Sequence, residues 1–181
     1  MSDSPASNET GFVRFVGEIV LMIGLAAALA FAIKTFVVQP FVVPSGSLEP
    51  TIAVGDRVLV NKFVYRFESP QRGDIVVFSD PYGKLPALIK RVVAVGADTV
   101  DIHDGHLWLN GKELEEPYVH GKPTEPGTIP MPVRIPAGYV FLMGDNRPVS
   151  GDARFFGPQP ISHVEGKAFA VYWPLTGLRG L

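Results

Sequence analysis

From Ile19 to Ile33 the chain reads IVLMIGLAAALAFAI, fifteen residues without a charge, and continuing through Lys34 to Val38 brings the run to twenty. At about 1.5 Å of rise per residue, a helix of that length matches a hydrocarbon core of roughly 30 Å. Two other readings compete with a membrane anchor. A cleaved secretory signal would suit Ala28-Leu29-Ala30 and Ala30-Phe31-Ala32, but the segment before the run carries Asp3, Glu9 and Glu18 against the single Arg14, the wrong charge for such a leader. A buried core helix would need a large shell of protein, because the run is apolar on every face. The expectation is therefore a polar tail over 1–10 and a transmembrane anchor over 11–39, with Lys34 snorkelling to the headgroups. Charge bias does not orient it, since the N-terminal flank is acidic and Lys34 lies on the other side.

The rest of the 181 residues, from 40 to 181, suits one domain. The chain is 46% hydrophobic and 19% charged, too apolar for disorder, and its formal charge of -2 offers no basic field for nucleic acid. The absence of cysteine excludes a disulfide framework, a thiol nucleophile and Cys-ligated zinc. After Pro40 come short runs rich in Val, Ile, Phe and Tyr: Arg57 to Phe63, Asp74 to Phe78, Lys90 to Val95, Thr99 to Ile102, Leu107 to Leu109, Tyr139 to Met143 and Gly166 to Tyr172. Asp104-Gly105 and Asn110-Gly111 predict sharp reversals, and Glu115 to Pro136, with six prolines, predicts an extended loop. The predicted fold is mainly antiparallel β with one N-terminal transmembrane helix.

Directly after the apolar run stands Pro40-Phe41-Val42-Val43-Pro44-Ser45-Gly46-Ser47-Leu48-Glu49-Pro50-Thr51. Two hydroxyls around a glycine, held between prolines, can place a backbone N–H and a side-chain O–H on one concave face, as an oxyanion site requires. The same composition also suits a linker. A serine nucleophile needs a base. His103 and His106 flank a turn, His120 lies in the proline-rich loop and His163 in a polar stretch, all surface positions. Lys90 interrupts the core-like Leu88-Ile89-Lys90-Arg91-Val92-Val93. It either points to solvent or is buried; to be neutral near pH 7 to 8 its pKa must fall from about 10.4, which takes about 4 kcal/mol of destabilised ammonium.

Read together, Pro44-Ser45-Gly46-Ser47-Leu48 with Pro50-Thr51 and Gly55-Asp56, then Val60-Asn61-Lys62-Phe63, Arg72-Gly73-Asp74-Ile75-Val76-Val77-Phe78, Ile89-Lys90-Arg91-Val92, Met143-Gly144-Asp145-Asn146-Arg147 and Ser150-Gly151-Asp152-Ala153-Arg154 resemble the boxes of bacterial type I signal peptidases, in the family's order. The resemblance spans roughly residues 11 to 175. It implies a signal-peptidase-like β catalytic domain with Ser47 as nucleophile and Lys90 as general base. Ser45 would assist the oxyanion beside the Ser47 N–H, Ser150 would hydrogen-bond and orient the Lys90 amine, and Asp152, Arg154 and Arg91 would brace the site. Phe41, Val43, Pro44, Leu48, Ile52, Leu88 and Ile89, with Gly151 beside them, would line shallow pockets for small side chains.

The resemblance further implies a Ser/Lys serine endopeptidase that needs no cofactor and no metal. Its partners would be preprotein signal peptides with small residues before the cut, and the lipid bilayer; from their apolar character alone, the terminal residues Trp173, Leu175 and Leu178 are expected to touch the lipid surface. The tail would be cytoplasmic and the catalytic domain extracytoplasmic at the inner (cytoplasmic) membrane. A conjugative-pilin maturation peptidase and a non-catalytic, membrane-tethered peptide-binding β module are the alternatives. Departures from the family's pattern are Leu48 for a usual methionine, Arg147-Pro148-Val149-Ser150 for Arg-Asp-Asn-Ser, Phe156 for a tryptophan, and an accessory insert reduced to residues 103–136.

Overall fold

The backbone is described for residues 6–36 and 38–181 of a computed structural model, with side chains for 11–31 and from 38 onward. It divides into two units, residues 1–37 and 38–181. The first contains helix α1, Ala6–Phe36. Its stretch Gly11–Phe31, 21 residues of mean hydropathy 2.1, is long and apolar enough to cross a membrane. The helix starts inside the segment expected to be a loose tail. Residues 1–5 and the Lys34 side chain lie outside the described residues. The helix also stops before residue 39, because Pro40 disfavours helical backbone before it and β-branched Val38 favours a strand.

The second unit is built from antiparallel strands. In chain order they are β1 (Val38–Val42), β2 (Arg57–Asn61), β3 (Ile75–Phe78), β4 (Leu88–Val95), β5 (Thr99–His103), β6 (His106–Leu109), β7 (Lys112–Glu113), β8 (Val133–Arg134), β9 (Tyr139–Met143), β10 (Gln159–Pro160), β11 (Val164–Trp173) and β12 (Arg179–Gly180). One sheet runs β1-β2-β11-β3-β4-β9-β10 with β12 on β11, and a second runs β7-β6-β5-β8. Each of the seven runs expected from the residues contains a strand, with Lys62, Phe63 and Asp74 lying just outside β2 and β3. The two-residue β7, β8, β10 and β12 are too short to carry a period, and β1 directly continues the apolar run of the helix, which hides its start. Asp104-Gly105 and Asn110-Gly111 take positive φ at both positions, 55° and 79°, then 55° and 78°, as type I′ hairpin turns demand.

Three apolar clusters fill the unit. Val43, Leu48, Ile52, Val58, Ile75, Val77 and Ile89 form one, with Phe41 against it. Val76, Phe78, Val92, Val140 and Leu142 form another, joined by Leu88 and Phe156. The third packs β4 and β9 on the small sheet through Val93, Val100, Leu107, Phe141 and Met143. Strand β4 thus sends Ile89 to one cluster and Leu88 to another, the period-two alternation of a strand buried on both faces.

Strand β4 also has an open stretch of edge. It pairs with β3 from Leu88 to Arg91, whereas β9 joins its other side only from Arg91 onward. Gly166 marks the tightest strand crossing, since a Cβ there would lie 2.6 Å from the Asn61 carbonyl oxygen and 2.8 Å from Val60 Cγ1. Gly166→Ala is expected to push β11 off β2 and cost about 1 to 3 kcal/mol, read as a lowered thermal midpoint.

Candidate active site

Ser47 sits in a one-turn 3-10 helix, Gly46–Leu48, entered from extended Ser45. The turn is nailed down from both sides of the serine. Leu48 and Ile52 are fully buried in the first apolar cluster. Asn146 N–H donates to the Ser47 carbonyl at 3.0 Å, and Asn146 Nδ2 donates to the Gly46 carbonyl at 3.0 Å. Lys122 Nζ in turn donates to Asn146 Oδ1 at 2.9 Å, tying the proline-rich loop to this turn.

Lys90, on β4, is 3% exposed and donates from Nζ to Ser47 Oγ at 2.7 Å. Burial is the main reason its pKa falls from 10.5 to about 8; nearby Asp152 and Asp145 push it up, and Arg154 pushes it down. Both carboxylates are already committed. Asp145 takes Arg91 through two bonds, Nε at 2.8 Å and Nη2 at 2.7 Å, and accepts from Thr51 Oγ1 at 2.6 Å. Asp152, wholly buried, takes Arg154 through Nε at 2.8 Å and Nη2 at 2.9 Å and accepts from Gly144 N–H at 3.2 Å. It also caps the short helix α2, Ala153–Phe156. Ser45 Oγ lies 3.4 Å from Ser47 Oγ.

Ser150 lies buried at the site, beside the Ser47 carbonyl and Gly144. Its hydroxyl is buried and makes no hydrogen bond, to Lys90 or to any other described residue. Its backbone is held instead, the N–H by the Asn146 carbonyl and the carbonyl by Arg154 Nη2, which leaves Oγ turned toward Gly144. The expected pocket residues also divide. Val43, Leu48, Ile52 and Ile89 belong to the buried cluster with Phe41 on it, and Pro44 is exposed. Leu88 and Gly151 border a separate cavity. The four histidines are all exposed.

Several supports escaped the sequence. Arg147, fully buried, donates to both carboxylate oxygens of Glu116, to Thr124 Oγ1 at 2.6 Å and to the Gly144 carbonyl at 3.1 Å. Tyr118, bonded to Glu116 at 2.8 Å, lies under the Arg91 guanidinium, 4.1 Å from ring centre to Cζ. Asp145, Asn146 and Arg147 stood in a motif without roles. Glu116, Tyr118, Lys122 and Thr124 had no signal, since the residues they support, Arg91, Asn146 and Arg147, lie 23 or more residues away along the chain.

A serine hydroxyl beside a buried lysine of lowered pKa, on a sheet with open edge, has the constitution of a serine–lysine hydrolase. A model of the family described as signal peptidase, peptidase S26, matches residues 16–173. The chain belongs to that family. It is 36% identical to a probable signal peptidase I-1 of Synechocystis sp. over 184 residues, 97% of this chain and 90% of the relative. Signal peptidase I of Leptolyngbya laminosa is 37% identical over 96% of this chain and 88% of its own length. A crystal structure of a signal peptidase I from Enterococcus faecalis aligns with 55% of this chain and 97% of that one, with TM-score 0.49 and 31% identity.

The fall from 10.5 to about 8 amounts to about 3 kcal/mol of instability in the charged form. The folded protein binds this proton less tightly than the unfolded chain, so the deficit is complete below pH 8 and fades as pH rises toward 10.5. Lys90→Met, which keeps the volume but loses one hydrogen bond, is expected to gain about 2 kcal/mol at pH 7, a rise of roughly 4 to 8 °C in melting temperature, and little at pH 10.5. Gly144→Ala would drive a Cβ into the Ser150 hydroxyl and the Ser47 carbonyl. It is expected to cost about 1 to 3 kcal/mol and to separate Lys90 from Ser47, seen as a Lys90 amine titrating nearer its free value by NMR.

Proposed function

We propose that this protein is a membrane-bound serine endopeptidase that removes N-terminal signal peptides from exported preproteins through Ser47 and Lys90. The observation that carries the reading is the 2.7 Å line between Lys90 Nζ and Ser47 Oγ, buried and with a lysine whose pKa falls to about 8. Near that pH a large share of the amine is neutral, and its lone pair can take the hydroxyl proton along this line. Ser47 Oγ then bonds to the scissile carbonyl carbon. The Ser47 N–H, with no acceptor among the described residues, and the Ser45 hydroxyl supply the oxyanion with donors. Collapse breaks the C–N bond as Lys90 returns the proton to the leaving amine. Water, deprotonated by Lys90, hydrolyses the resulting ester and frees Ser47. Ser150, its buried hydroxyl unpartnered, is the group available to orient the amine once a substrate is bound. Asp152, Arg154 and Arg91 act as braces through the ion pairs already described.

The substrate would enter as an extended strand on the open edge of β4 over Leu88–Lys90, where backbone groups lack a neighbouring strand. Its first and third residues before the cut would face the Ile89 side, where the wall of Val43, Leu48 and Ile52 is closely packed and favours small side chains. The anchor would be α1, whose 21-residue apolar stretch is about 31 Å long. Exposed Trp173, Leu175 and Leu178 suit contact with the bilayer surface. The tail would be cytoplasmic and residues 40–181 extracytoplasmic.

Purified full-length chain in detergent is expected to cleave a preprotein bearing an Ala-x-Ala site, with kcat/KM climbing through pH 8 as Lys90 loses its proton. Ser47→Ala and Lys90→Ala should each lower the rate by roughly 1,000-fold or more. Activity that survives Lys90→Ala would overturn the assigned base.

A further inference from the structure

Next to the reacting pair lies a cavity of about 230 Å³ that the small-residue walls do not use. Tyr82, Leu85, Leu88, Gly151, Phe155 and Phe156 line it, with Asp80 and Lys84 at the rim. It borders the site on two sides. Leu88 precedes Lys90 by two residues on the same face of β4, roughly 6.6 Å along the strand, and Gly151 follows Ser150.

The cavity is held open by its own bonds. The Asp80 carboxylate accepts from the N–H groups of Tyr82 at 3.0 Å and of Lys84 and Leu85 at 2.9 Å, which fixes the connection between β3 and β4 as a wall. Phe156 forms the base, its ring 6.1 Å from Phe78 and 6.2 Å from Tyr82 between centroids. Above it Tyr82 is 60%, Leu85 49% and Phe155 42% exposed, a concentration of apolar surface beside a reacting centre.

We infer that this cavity is a subsite for the substrate residue second before the cut, and that it selects a large apolar or aromatic side chain there. The inference rests on the peptidase reading above. Alternate side chains of an extended strand point to opposite faces. If the first and third residues before the cut face Ile89, the one between them faces Leu88, and hence the cavity. The two faces of β4 then read opposite properties, smallness on the Ile89 side and apolar bulk on the Leu88 side. A charged residue at this position would lose hydration against the aromatic lining, with both rim charges otherwise occupied: Asp80 by three backbone donors, and Lys84 over the Tyr82 ring at 5.5 Å.

The test uses full-length chain in detergent and a peptide series Ala-x-Ala, with x as Ala, Leu, Phe or Asp, and a second series varying only the first residue after the cut. The parent is expected to cleave x = Phe or Leu with kcat/KM roughly tenfold above x = Ala, and x = Asp most slowly. Phe155→Ala and, separately, Tyr82→Ser should draw the Phe-to-Ala ratio toward parity; two exposed positions guard against a folding defect in either. A flat response to x in the parent, a ratio unchanged in both variants, or a preference that follows the residue after the cut would overturn the subsite and leave the peptidase standing. Cleavage of no peptide by the parent would overturn the peptidase reading and the subsite with it.

Discussion

A lysine amine is held out of water against a serine hydroxyl, and the rest of the catalytic unit is arranged to make that tolerable. Burial alone raises the free energy of the ammonium, but two carboxylates nearby would undo the effect if they were free to pair with it. Each is instead saturated by a guanidinium, Asp145 by Arg91 and Asp152 by Arg154. Lys90 is left with weakly attractive surroundings and no ion-pair partner of its own among the described residues. Such a site needs buried arginines as much as it needs the lysine, and Arg154 is 3% exposed. An arginine stays charged at any relevant pH, so the compensation does not titrate away as the lysine gains or loses its proton.

Holding those charges in place requires a frame, and the proline-rich loop supplies much of it. Glu116 and Thr124 take the Arg147 guanidinium, Glu125 offers its carbonyl to Arg154, and Lys122 reaches Asn146. The loop also packs so closely on Arg154 that a Cβ at Gly127 would collide with its backbone. A segment with little secondary structure is thereby ordered through side-chain bonds, and its rigidity passes through Asn146 to the Gly46–Leu48 turn that carries the serine. The same packing explains why Gly144 is glycine: the Ser150 hydroxyl and the Ser47 carbonyl both occupy the space a Cβ would take.

One strand, β4, concentrates three tasks because its neighbours leave it half open. Pairing with β3 fixes Lys90, the late arrival of β9 leaves an edge over Leu88–Lys90 on which the proposed peptide substrate would pair, and alternation separates the Ile89 and Leu88 faces. A fully paired central strand would bury the lysine but leave no edge for a peptide. An edge strand open along its length would present the edge but leave the lysine in water.

Local physics sufficed to read the apolar helix, the seven main strands and both Asx-Gly hairpins from the sequence, because each depends on the period, length or turn chemistry of contiguous residues. The motif set further pointed to Ser47, Lys90 and the Asp152–Arg154 brace. The sequence alone left Lys90 open between solvent and core, since a strand pattern does not say what covers its two faces. Only the tertiary structure decided that it is buried, that Ser150 makes no bond to it, and that the expected pocket residues divide between a packed wall and a cavity. It alone brought Glu116, Tyr118, Lys122 and Thr124 to the catalytic loop, across separations that no local pattern spans. Secondary structure is written in neighbouring residues, whereas the lysine's charge state and the walls of the site arise from groups that meet only when the sheets close around them.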